Sequence, residues 1–275
     1  LGVEVVVMEV SSQSLKLDRV AGMEFYAGIF TNLSEDHISE KEHENMQEYF
    51  ESKMKLFDMC RYAYINADNI YTSKVQELIK DKCKVETYGI DNYCDFLAKD
   101  VTITNTYADF KAKFDKKNER VKVSIPGRFS VYNALASIKV ANLFGVPTET
   151  IKEALENVKV LGRSELVDNK LDLKIMIDYA HTPDSLENIL KTVKQYTVGK
   201  VICVFGCGGD RDKTKRPLMG EISGRLADYT IITSDNPRTE VPEEIVSQIE
   251  AGTKKTKGNY ECIVDRREAM KKAIS

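Results

Sequence analysis

The 275-residue sequence has no CxxC pair; its six cysteines, Cys60, Cys83, Cys94, Cys203, Cys207 and Cys262, are scattered. That spacing argues against a zinc ribbon or a disulfide scaffold, and Cys203, inside an apolar run, predicts buried thiols in a reducing cytosol. No apolar run approaches the roughly 20 residues of a membrane-spanning helix, and no signal-peptide pattern is visible. A cytoplasmic protein with no membrane partner is therefore expected. A basic stripe is missing as well. The net charge is −3, with lysine and glutamate interspersed along the predicted helices, so nucleic acid is not an expected partner. Neither the phosphate loop GxxxxGK[ST] nor the dinucleotide fingerprint GxGxxG occurs anywhere in the chain.

What is present is the composition of a globular protein with room for two domains, 42% hydrophobic and 30% charged. The chain opens at Leu1 directly before an apolar run and closes at Ser275 within a helical pattern, so it reads as an internal piece of a longer protein. Residues 3–8 are nearly all apolar, which predicts a strand covered on both faces. Glu9 follows, placed for a metal or for capping a helix beside Ser11 and Ser12. A second strand is predicted at 27–32, leading to Asp36 and His37. In the helix predicted over 44–58, Met46, Phe50, Lys53 and Phe57 recur at spacings of four, three and four and share one apolar face. A lysine there either snorkels to water or has its pKa lowered by burial, leaving a neutral amine able to take up carbon dioxide. The resulting carbamate carries a carboxylate that binds a cation. Farther on, Gly127-Arg128-Phe129 turns into a helix predicted over 131–144 with Asn133 in its first turn, a pattern that suits a nucleotide edge or plain capping.

Leu161-Gly162-Arg163 reads as a linker, giving domains 1–160 and 161–275. Beyond it, strands predicted at 174–178, 200–205, 229–233 and 261–264 alternate with helices at 184–196, 215–227, 243–251 and from 266. That alternation indicates an α/β fold with a mostly parallel, doubly wound sheet. Asp178 ends the first of these strands, where it suits ribose hydroxyls or the cap of the next helix. Gly206, Gly208 and Gly209 follow the second and allow close backbone approach, and Asp235-Asn236-Pro237-Arg238 follows the third. Ligands bind at the C-terminal ends of strands in open α/β sheets. The two clusters are expected to wall one site, with Arg211 and Arg238 facing a carboxylate-bearing small molecule.

Taken in order, Met8-Glu9-Val10-Ser11-Ser12, Phe30-Thr31-Asn32-Leu33-Ser34 with Asp36-His37, Ile65-Asn66-Ala67-Asp68, Gly127-Arg128-Phe129 with Tyr132-Asn133-Ala134, Asp178-Tyr179-Ala180-His181-Thr182-Pro183, residues 206–219 and Asp235-Asn236-Pro237-Arg238 resemble the Mur ligases. Within that family the likeness is to the tripeptide synthetases, and it extends over nearly the whole chain. The resemblance implies a central ATPase-type domain with a mixed or parallel sheet, then a Rossmann-like C-terminal domain. It implies an ATP-dependent ligase of peptidoglycan precursor synthesis, which phosphorylates the carboxylate of a UDP-MurNAc-dipeptide and lets an incoming amine displace phosphate. Glu9 and His37 match the family's Mg²⁺ ligands and Lys53 its carbamylated lysine, the three catalytic positions. Ser11, Ser12 and Arg19 match positions that hold UDP-MurNAc. Asn133 matches the adenine contact, and Arg128, Asp178 and His181 fall where ATP is met.

Arg211, Asp235, Asn236 and Arg238 match the pocket for the incoming amino acid. Asp-Asn-Pro-Arg marks the members that add meso-diaminopimelate, whereas lysine-adding members generally lack the arginine. The physics agrees, because diaminopimelate has a second amino-carboxylate end that Arg238 and Asp235 can grip. Lysine would leave the guanidinium groups unpaired, at a cost able to support discrimination of about 10⁴. The link at 39–44 is longer than in the family, so His43 receives no role. The family's UDP-binding domain, phosphate loop and C-terminal acceptor segment have no counterpart here, and the 275 residues are expected to fold, as a monomer, without ligating. Alternatives are a lysine- or lanthionine-adding ligase, a folylpolyglutamate or cyanophycin synthetase sharing Glu9, His37 and Lys53, and a scaffold protein without turnover.

Overall fold

The structure, a computed structural model, describes residues 2–34, 38, 42–114 and 117–275. Its contacts divide the chain into two units, Leu1–Leu97 with Leu135–Gly145, and Ala98–Ala134 with Val146–Ser275. This partition differs from the expected boundary at 160/161. Residues 98–134 and 146–160 join the second unit, in which the strand Lys117–Val123 packs against the helix Thr148–Asn157.

In the first unit, strands β1 (Phe25–Phe30), β2 (Cys60–Asn66), β3 (Lys84–Gly89) and β4 (Phe96–Leu97) form a parallel sheet in that order. Its helices are α1 (Ser12–Lys16), α2 (Met46–Met54) with a 3₁₀ extension over Lys55–Met59, α3 (Thr72–Ile79) and the second half of α4 (Arg128–Leu143). In β2 the run Ala63, Tyr64 and Ile65 is fully covered, as the unbroken apolar sequence of a central parallel strand requires. Asn45 starts α2 by accepting the Glu48 N–H through its side chain at 3.0 Å. The expected apolar face of α2 is present. Phe50 and Phe57 are buried in a core with Phe30, Ile65, Val75 and Ile79, Met46 packs against that core, and Lys53 is half-buried.

The strand expected at 3–8 does not form. The segment is irregular and its side chains lie in solvent, with Val6 76% and Val7 88% exposed. Apolarity alone does not make a strand; the backbone N–H and C=O groups need a neighbouring ladder, and among the described residues none lies beside this segment.

The second unit holds an antiparallel meander of β5 (Lys99–Ile103), β6 (Ala108–Phe114) and β7 (Lys117–Val123), with α5 (Thr148–Asn157) on β7. Ala108, Phe110, Ala112 and Phe114 alternate inward along β6. Next come the hairpin β8 (Glu165–Val167) and β9 (Ile175–Ile177), then a parallel sheet of β10 (Ile202–Phe205), β11 (Tyr229–Ile232) and β12 (Asn259–Cys262). The helices α6 (Pro183–Tyr196), α7 (Lys215–Leu226), α8 (Pro242–Thr253) and α9 (Arg266–Ile274) alternate with these strands in the Rossmann-like manner expected. Leu186, Leu190, Phe205, Met219, Ile232, Ile245 and Ile249 form the shared core.

Three expectations are corrected here. The strand predicted at 174–178 belongs to an antiparallel hairpin rather than to the parallel sheet. Asn169 builds its turn, donating to the carbonyls of Val167 and Leu173 and accepting from Leu171 N–H. The last strand lies at Asn259–Cys262 instead of 261–264. Helix α4 begins at Arg128, which moves Asn133 into its second turn. No helix among the described residues is long and apolar enough to cross a membrane.

Candidate functional site

In the second unit, the loop 206–214 after β10 and the loop 233–241 after β11 are interlocked. Gly209 N–H donates to the Asn236 carbonyl at 2.8 Å, and Arg238 Nη1 donates to the Gly209 carbonyl at 2.6 Å. Thr239 Oγ1 donates to Asp210 Oδ1 at 2.7 Å. A Cβ on Gly209 would collide with the Pro237 carbonyl, so only glycine permits this approach. Asp210 and Arg238 both hold left-handed backbones, with φ of 52° and 48°, a conformation that non-glycine residues keep only where their surroundings impose it. Arg211, Asp235, Asn236 and Arg238 are all exposed on these loops. Asn236 Oδ1 accepts from Arg238 N–H at 3.4 Å, and Asp235 lies 3.8 Å from the Arg266 guanidinium. The structure thus brings together the two clusters expected to form one site.

Beneath them Arg216 is completely buried. Its Nη1 and Nη2 donate to the two oxygens of Glu240 at 2.9 and 2.8 Å, Nη1 also reaches Gln248 Oε1 at 2.8 Å, and Nη2 reaches the Gly208 carbonyl at 3.2 Å. Glu240 further accepts Asp210 N–H at 2.7 Å and lies 3.2 Å from Lys213. Above all the Arg216 guanidinium, with the Asp210 amide and Lys213, holds the Glu240 carboxyl down at about 2.

A second group lies between β9 and α6. Asp178 Oδ2 accepts from Ser164 N–H and Oδ1 from Ala180 N–H, both at 2.8 Å. It does not cap α6. That cap is Thr182, in a reciprocal box with Ser185, because Pro183 starts the helix four residues beyond the position a cap at Asp178 would need. His181 is exposed, with Nδ1 3.0 Å from the Tyr179 carbonyl and its ring edge-on to that of Tyr179. The Arg163 guanidinium covers Tyr179 at 4.6 Å. On α4, Arg128 is half-buried and Asn133 exposed; Phe129 between them packs on the same core as Ala180.

In the first unit, burial pulls the Lys53 ammonium pKa below its ordinary value, and the Glu9 carboxylate acts against that shift. The Lys53 Nζ lies 5.1 Å from the centroid of the Tyr49 ring. Ser11 caps α1, accepting from Ser14 N–H at 3.1 Å, and Arg19 is exposed just after that helix. Ser12 is buried, its Oγ 2.9 Å from His43 Nε2. His37 lies outside the described residues. Among the described residues no cluster of three or more acidic, histidine or cysteine side chains stands ready for a metal.

Residues 1–141 match the Mur ligase middle domain, and residues 162–275 match the Mur ligase glutamate ligase domain. The chain belongs to the Mur ligase family. It is 50% identical over all 275 residues to the UDP-N-acetylmuramoyl-L-alanyl-D-glutamate--2,6-diaminopimelate ligase of Caldanaerobacter subterraneus subsp. tengcongensis, covering 56% of that protein. It is 45% identical to the like-named ligase of Clostridium botulinum, over 99% of this chain and 56% of that one. A solved structure of such a ligase superposes on 95% of this chain and 54% of its own, with TM-score 0.61 and 32% identity. The chain thus spans about half the length of the curated relatives it matches.

Two residues of this Mur ligase chain carry more structure than their sequence context announces. Arg216, two residues into α7, stands among Lys213 and Lys215 and reads as surface charge; only the acid at 240 reveals its burial. His43 is fully buried, bonded to Ser12 and stacked on Tyr49 at 5.0 Å between centroids. A histidine two residues before an Asn cap had a usable signal in the apolar helix that follows, but its partner on α1 is 31 residues away.

Proposed function

We propose that the protein containing this chain is the ligase that adds meso-diaminopimelate to UDP-N-acetylmuramoyl-L-alanyl-D-glutamate, using ATP and Mg²⁺. The observation that carries this reading is the pair of interlocked loops bearing Arg211 and Asp235-Asn236-Pro237-Arg238. The names of the relatives support it. Two exposed guanidinium groups on loops fixed by main-chain bonds suit a carboxylate at the distal end of the amino acid, with Asp235 taking the ammonium beside it. A folylpolyglutamate synthetase would have no use for a distal amino-carboxylate clamp.

In the proposed reaction the glutamate carboxylate is activated as an acyl phosphate, and the amine of diaminopimelate displaces phosphate. Burial supports Lys53 as a Mg²⁺ ligand alongside Glu9, since it favours the neutral amine that carbamylation needs, and the carbamate would replace a repelling cation by a carboxylate. When bound, the ion neutralises charge on the transferred phosphoryl group. His37 is assigned with them from the family resemblance. Ser11, Ser12 and Arg19 are assigned to UDP-MurNAc, with Ser11 and Ser12 fixed by α1 and His43. Arg128, Asn133, Asp178 and His181 are assigned to ATP. Asp178 orders its own loop through Ser164 and Ala180, leaving Tyr179 and His181 exposed beside it.

Calorimetry on the full-length protein tests this. Diaminopimelate should bind, and Arg238→Ala should weaken it about ten- to a hundredfold, the worth of one charge-assisted contact. Equal binding of lysine and diaminopimelate by the unaltered protein would sink the acceptor assignment.

A further inference from the structure

We infer that Arg216 is a positioning residue for the acceptor pocket: its buried guanidinium fixes Glu240 and the Gly208 carbonyl in one register and so sets the spacing of Arg211 and Arg238. This rests on the acceptor reading given above. Three of its four hydrogen bonds end on the two ligand-bearing loops, at Gly208 and at both oxygens of Glu240. The fourth, to Gln248, anchors the guanidinium to α8.

The connection then runs outward. Glu240, at the far end of the second loop, accepts the N–H of Asp210 on the first, and Asp210 returns its carboxylate to Thr239 Oγ1 at 2.7 Å and N–H at 3.3 Å. Asp210 directly precedes Arg211, and Thr239 directly follows Arg238. The two left-handed residues are Asp210 and Arg238 themselves, so the network holds strained backbone at the points from which the proposed clamp projects. Stability alone does not account for this choice. Arg216 is the largest fully buried side chain and its Nε has no partner among the described residues, whereas well-packed apolar side chains usually replace a buried ion pair without loss of stability.

The test uses the full-length protein with Arg216→Lys, Arg216→Met and Glu240→Gln. KM is measured for diaminopimelate and for ATP, with the kcat/KM ratio of diaminopimelate over lysine and amide hydrogen exchange across residues 206–212 and 235–240. A lysine cannot reach both Glu240 oxygens and Gly208 together, so Arg216→Lys should raise KM for diaminopimelate at least about tenfold, leave KM for ATP within about twofold, and lower the ratio. Exchange should quicken at the two loops and not elsewhere. Glu240→Gln keeps the shape and decides the matter even where an Arg216 variant does not fold. An unchanged KM for diaminopimelate, a parallel rise in both KM values, or unaltered loop exchange in Glu240→Gln overturns the inference. Failure of the unaltered enzyme to add diaminopimelate would instead overturn the acceptor reading, and loop exchange would still decide the role of Arg216.

Discussion

Glu240 is held at about 2, against an ordinary value of 4.5, by a guanidinium, an amide and an ammonium. A carboxyl depressed in the folded state contributes stability that is fully present above the unfolded value and is lost as pH falls through the folded one. The second unit should therefore lose stability between about pH 4.5 and 2, and Glu240→Gln should flatten that part of the profile. Denaturant midpoints at stepped pH check this; superimposable slopes for the two proteins would exclude Glu240 as a source. The same residue shows where the sequence stops being readable. Arg211 and Arg238 announce themselves as arginines just past strand ends, a position with a general binding logic. Arg216 and His43 do not, since each owes its burial to a partner at least 24 residues away, and local charge pattern carries no trace of that pairing.

At the scale of elements, α7 and α8 pack so closely that a Cβ on Gly252 would enter the Pro217 carbonyl. Gly252→Ala should cost about 1–3 kcal/mol, the usual range for overpacking a tight interior, read as a lower denaturant midpoint with an unchanged slope. A variant as stable as the parent would mean that the helices separate at little cost. Helix α6 was legible from the sequence because its amphipathic stripe is a local property. The helix expected at 184–196 is found at Pro183–Tyr196, where Thr182, Pro183 and Ser185 supply a complete start signal. Strands were legible only where a ladder partner exists. Residues 229–233 found theirs in β10 and β12. Residues 174–178 found theirs in a hairpin set by Asn169, a turn signal that a search for βαβ alternation overlooks.

For the whole molecule, the α/β class and the family were both readable, but the strand expected at 3–8 does not form, and this leaves a physical consequence. Val5, Val6 and Val7 are consecutive, β-branched and at least half exposed, an apolar stretch of high strand propensity of the kind that templates association between chains. The 275-residue chain should self-associate as its concentration rises, visible as increasing light scattering. Val6→Lys with Val7→Lys should suppress it without moving the melting temperature, because both side chains already lie in solvent. The two lysines bring the net charge of −3 closer to zero, which by itself favours association, so a fall in scattering is assignable to the lost apolar surface. Equal scattering from both proteins would place the association elsewhere on the molecule.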